Sequence, residues 1–179
     1  SREVWRAAHR RLYEHLCETT DEGDQPTLEQ LQPLYQAVAH GCHAGLVQDA
    51  WKKVYRQRVI RNREFYSIHR LGAFASDLGA LACFFEQLWT KPAHSLDRVE
   101  QDTILACTSF SLRGMGRLNE CVEPMQASIL PCVEDGDWLN AAVRASNLSQ
   151  LELTLGEVSG AISDAERSVT YADRSGDAF

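Results

Sequence analysis

The chain has 179 residues, 44% of them apolar and 24% charged, the make-up of a globular protein with enough material for one core or several stacked units. Its net charge of −7 is uneven: residues 1–95 hold 12 Lys/Arg against 11 Asp/Glu, and residues 96–179 hold 6 against 14. That acidic half argues against a polyanion-binding platform, no apolar run reaches the length of a membrane span, and six scattered cysteines without a C-x-x-C pair point to a reducing cytoplasm rather than a disulfide scaffold.

Apolar residues recur at helical spacing almost throughout, and nothing alternates as a strand. Trp5, Ala8, Leu12 and Leu16 line one face of a first helix, which "TTDEGDQP" (19–26) ends. Thr27 with Gln30 is a capping-box start for a helix carrying Leu31, Leu34, Ala37 and Val38. Further breaks fall at "TKPAHS" (90–95), "EDGD" (134–137) and "RSGD" (174–177), with Ser95 and Asp137 placed to cap the helices that follow. Pro124 and Pro131 predict a kink or an early stop in an apolar helical stretch. The expectation is an all-α chain of roughly eight or nine helices of about three to four turns each.

Four glycines organise a repeat. After Gly156, small or apolar residues stand at Ala161, Ala165 and Ser168; the same offsets from Gly116 give Cys121, Met125 and Ser128, and from Gly45 give Ala50, Val54 and Gln57. Gly79 is a poorer anchor, giving Phe84 and Leu88. The anchors are 34, 37 and 40 residues apart, within the range of helix–turn–helix repeats. Glycine permits the tight turn between two antiparallel helices, and a small residue five positions later lets the second helix approach the first. The predicted units are 27–60, 63–90, 96–133 and 137–175, preceded by a helix over 1–18.

Chemistry-bearing clusters are few. His40, Cys42 and His43 lie within four residues, but no second Cys/His cluster offers the remaining ligands of a tetrahedral zinc site, so Gly41 and Gly45 read as the end of a helix and its turn. No P-loop, nucleophile elbow or calcium-loop spacing occurs, so no catalytic residue, metal or cofactor is assigned. "WKKVYRQRVIRNREF" (51–65) concentrates Lys52, Lys53, Arg56, Arg58, Arg61 and Arg63 against Glu64 alone. It reads as a solvated helix face running into a basic loop, or alternatively as the contact surface of a nucleic-acid-associated adaptor.

The glycine-anchored units resemble the tetratricopeptide repeat, most clearly in 138–175, where Leu148 occupies the first-helix leucine position, Gly156 the turn and Ala161 the small second-helix position. Ala145, Ser149 and Glu152 depart from the family's usual Trp, Gly and Tyr. "LYQAVAHGCHAG" and "RASNLSQLELTLG" are also similar to the repeat arrays behind the nucleotide-binding module of bacterial signal-transducing (STAND-class) ATPases. The resemblance implies antiparallel helical hairpins stacked as a right-handed solenoid and a non-catalytic scaffold that binds a protein or peptide. Such an array would be part of a longer chain with an attached nucleotide-binding module, or alternatively a free-standing peptide-binding adaptor, and able to self-associate through an unpaired terminal repeat. It also implies a concave groove lined by first helices. Ser146 and Gln150 stand where a carboxylate clamp would need Lys and Asn, which leaves Phe110, Arg113, Arg144, Asn147 and Gln150 as candidate partner contacts.

Overall fold

The structure, a computed structural model, describes residues 2–176; the side chain of Arg63 lies outside the described part. Among these residues the chain is all-α apart from a two-stranded ribbon of β1 (Phe85–Gln87) and β2 (Lys91–Pro92), a short pairing that the helical periodicity does not announce. No helix among the described residues is long and apolar enough to cross a membrane. The chain divides into two compact units, Ser1–Leu88 with Pro92–Asp97, and Trp89–Lys91 with Arg98–Phe179.

The first unit begins with α1 (Arg2–Thr19) and α2 (Leu28–Ala44). Thr27 caps α2 as expected, accepting from the Gln30 amide at 3.3 Å while its own amide donates to the Gln30 side chain at 2.8 Å. Gly45 closes the helix at φ +83°, a left-handed turn that costs glycine little. Gly41 serves packing instead: a Cβ there would lie 2.9 Å from both the Tyr13 ring and the Ala50 methyl, so α1 and the segment after α2 press onto it from two sides. That segment, α3 (Val47–Asp49), continues as a π-helical stretch over Ala50–Val59, whose wider turns place Trp51, Val54, Tyr55 and Val59 all in the core. Trp51 stacks on Tyr55 at 5.5 Å between centroids, and Phe84 meets both rings edge-on.

Beyond this stretch Arg61, Asn62 and Phe65 all have positive φ around the 3₁₀ turn Asn62–Glu64, a costly conformation for residues with a Cβ. Short α4 (Tyr66–His69) and α5 (Phe74–Ala82) complete the unit. Gly79 corrects one expectation: it sits inside α5 with no positive φ, so the predicted 63–90 unit does not turn there. In the core Asp77 is fully buried, 3.0 and 3.1 Å from the hydroxyls of Tyr35 and Tyr55 and 3.0 Å from Ser67 Oγ. Among the described residues no cation accompanies it in this network, so burial pushes its carboxyl up to about 6 despite the three hydroxyl donors.

The second unit holds four helices of similar length: α6 (Arg98–Gly114), α7 (Leu118–Asp135), α8 (Trp138–Leu155) and α9 (Val158–Ser175). Gly116, Gly136 and Gly156 take positive φ at the turns, so the Gly116 and Gly156 anchors are turn glycines as expected. Asp137 caps α8 by accepting from the Asn140 amide, whereas Ser95 caps nothing: α6 starts three residues later, and the Ser95 carbonyl accepts from Gln48. Pro124 and Pro131 neither stop nor split α7. Burial of Cys121, Met125, Ile129 and Cys132 against the neighbouring helices outweighs the backbone bonds that two prolines remove.

Ala141, Ala142, Ala145 and Ala161 are all buried, and their size lets α8 and α9 lie close. Ser149 Oγ donates to the Ala161 carbonyl at 2.7 Å, and Ser168 Oγ to the Ala142 carbonyl at 2.9 Å. Between the same helices the buried Glu152 and Asp164 carboxyls face each other where Gly160 leaves room. Burial first, and Asp164 second, raise the Glu152 pKa.

Candidate functional site

The second unit carries an open groove of about 170 Å³ between α6 and α8, floored by α7. Phe110 and Arg113 of α6 and Arg144 and Asn147 of α8 line it, with Met125 and Ser128 of α7 beneath. Four of the five residues singled out as partner contacts are thus brought together; Gln150, about one turn along α8 from Asn147, is exposed but does not line the groove. The floor residues escape sequence reading because they belong to a second helix, whose buried face looks like any other core face. Met125 is 8% exposed and supplies a soft apolar surface beside Phe110, which is half exposed.

The two arginines differ. Arg144 makes a two-pronged ion pair with Asp102 and donates to the Ser128 carbonyl at 2.7 Å. Burial works against its charge, and Asp102 outweighs that, so its pKa is raised and its guanidinium is fixed as part of the wall. Arg113 is exposed and bonds to no carboxylate among the described residues. Its charge reaches beneath the groove to Cys121, a thiol that burial pushes up to about 11 and that Arg113 draws partly back. Of the other cations here, Arg98 pairs with Glu134 and Asp135, Arg117 with Glu120 and Arg167 with Asp164, while Arg174 lies over the Trp138 ring. Arg113 is the uncommitted arginine among the described residues of this unit.

The basic stretch of the first unit turns much of its charge inward. Arg58 donates to Glu22 at 2.5 and 2.8 Å, to the Cys17 carbonyl at 2.9 Å and to the Thr20 carbonyl at 2.6 Å. Arg61 donates to the carbonyls of Gly23 and Asp24 and lies over the Tyr66 ring. Lys52 pairs with Asp97 and Lys53 with Asp49. Arg56 is exposed, and the Arg63 side chain falls outside the described residues. A cleft of about 360 Å³ nearby, lined by Tyr13, Cys17 and Val54, is rimmed by the Arg10–Glu14 and Lys53–Asp49 pairs, with Glu18 and Arg58 also on its wall.

The histidines of α2 meet one from α1. His9 Nδ1 and His40 Nδ1 are 2.8 Å apart, and the His9 ring lies 4.9 Å from that of His43. Trp5 packs on His9 at 4.2 Å and on His43 at 5.2 Å. The sequence separates His9 from His40 by 31 residues, so nothing local foretells their meeting. Among the described residues no group of three or more His, Cys, Asp or Glu is placed to hold a metal ion.

No protein-family model matches the chain, and no curated protein or solved structure matches it either.

Proposed function

We propose that the protein is a non-catalytic interaction scaffold whose second unit binds an extended segment of a partner protein in the α6–α8 groove. In this reading the α6–α7 and α8–α9 hairpins stack as tetratricopeptide-like repeats of a right-handed solenoid, and the unit is a sensing or docking arm attached to a nucleotide-binding module. The single observation that carries the binding site is Arg113: an exposed guanidinium without a carboxylate, set in a groove with an exposed Phe110 and an Asn147 amide, on a unit whose other arginines are engaged. An exposed ring beside an uncommitted guanidinium and an amide suits a backbone with an apolar side chain next to an acidic one.

A phage-displayed library of random linear peptides, panned on the full chain, tests this. The expected result is enrichment of an apolar–acidic pair, with at least about tenfold weaker binding of the selected peptides to Arg113→Glu and to Phe110→Ala, the size usual for a central contact. Enriched peptides indifferent to both substitutions would move the site elsewhere, and a library that yields none would remove the peptide-binding reading.

A further inference from the structure

We propose that His9, His40 and His43 form a pH-sensitive latch that holds the N-terminal half of α1 against α2 at neutral pH and releases it on acidification. The starting point is how little else holds that half. Of the 18 residues of α1 only Tyr13 is buried, while Val4, Trp5 and Leu12 are 68%, 48% and 45% exposed. The C-terminal half is secured separately, by the Tyr13 ring against Gly41 and by Arg58 on the Cys17 and Thr20 carbonyls. Upstream of Tyr13 the ring contacts and hydrogen bond to α2 run through histidine: the His9–His40 bond and the Trp5–His9–His43 packing.

A bond between two ring nitrogens needs one donor and one acceptor. At neutral pH one Nδ1 carries hydrogen and the other offers its lone pair. A single added proton can still be accommodated between them. A proton on both rings sets two N–H groups against each other across 2.8 Å, and the acceptor is gone. The His43 ring, exposed and 4.9 Å from His9 between centroids, packs against the same pair. The surroundings do not neutralise this charge. The titrating groups that act on His40 are His9 from α1 and His43 from its own helix; after burial, these lower its pKa. On α1 the early turns carry Arg2, Arg6, Arg10 and Arg11 against Glu3, and Glu14 is paired with Arg10. On α2 the sole acid is Glu29 in the first turn, and Asp49 of α3 is paired with Lys53. A His whose folded pKa is depressed contributes stability that is present above about pH 6.5 and lost as pH falls through the folded value. The latch therefore opens toward acid.

Hydrogen exchange read by mass spectrometry on the full chain, with intrinsic rates corrected, tests this at pH about 7.5 and about 5, the window in which histidine titrates. Amides of residues 2–12 are expected to exchange at least about tenfold faster at the lower pH as local opening of that half becomes easier, while α2 keeps its protection. In His40→Asn, which keeps an amide near the bonding position but does not titrate there, that pH response should be lost. Should His40→Asn fail to fold, the wild-type NMR titration of His40 decides, since exchange of 2–12 must rise with that midpoint. Equal protection at both pH values, a response retained in His40→Asn, or one that vanishes in EDTA would each overturn the latch, the last by revealing a metal instead.

Discussion

Asp77 is a buried carboxyl that the fold would rather keep protonated. Its pKa is pushed from 3.8 to about 6 by burial, and the hydroxyls of Ser67, Tyr35 and Tyr55 recover part of the loss. A raised acid stabilises the fold fully below its unfolded value of 3.8, and that contribution disappears as pH climbs through about 6. Asp77→Asn keeps an oxygen for both tyrosines and removes the charge. In urea unfolding at pH about 4 and about 8, the variant should gain on the wild type at the higher pH by up to about 3 kcal/mol, since each pKa unit is worth about 1.4 kcal/mol. Equal differences at the two pH values would mean that Asp77 has the same pKa in the folded and unfolded protein, and would remove the raised acid. No sequence pattern foretells this group: Asp77 looks like an ordinary first-turn acid of α5, and its donors come from 42, 22 and 10 residues away.

At the scale of elements, the loop between α1 and α2 owes its order to the basic stretch that follows. Arg58 is 23% exposed and Glu22 14%, so their pair is largely shielded, and the same guanidinium also closes the C-terminal end of α1. Arg58→Met is expected to destabilise the chain by about 3 kcal/mol, the scale for breaking a largely buried pair, whereas Lys53→Ala, losing an exposed pair, should cost no more than about 0.5 kcal/mol. The cost of Arg58→Met should shrink below about pH 4.5, because the Arg58 bond holds the Glu22 pKa down and that stabilisation fades as Glu22 protonates. Thermal melts across acid pH read both effects. What the sequence makes legible at this scale is what is local. The Thr27–Gln30 box and the turn glycines Gly45, Gly116 and Gly156 follow from rules that act within a few residues. Gly79 misleads because the repeat period alone suggests a turn, while the chain around it continues as helix. Pro124 and Pro131 mislead because a local penalty is outweighed by burial that only the packed unit supplies.

For the whole molecule, the uneven charge follows the division into units: residues 1–95 are close to neutral, and residues 96–179, which include the groove that holds Arg113, are acidic. Helical spacing alone puts Phe110 and Arg113 on one face of α6 and Arg144 and Asn147 on one face of α8, whereas a groove between those faces is implied only by the repeat resemblance. The pairing of Arg144 with Asp102 depends on two helices meeting and could not be anticipated. The π-helical stretch Ala50–Val59 has a consequence for the order in which the first unit assembles. An α-helix such as α2, with its capping box, can start from local signals, but a π-helix is a rare geometry that persists where surrounding packing imposes it. Trp51 and Tyr55 can be drawn into that geometry only once Phe84 and α2 offer a surface to dock on. Pulsed amide labelling during refolding should therefore find residues 28–44 protected before 50–59. Simultaneous protection would make the π-helix an early, self-sufficient element. Protection in the expected order would make Ala50–Val59 set after α2, so that a newly made first unit passes through a step in which Trp51 and Tyr55 are still exposed.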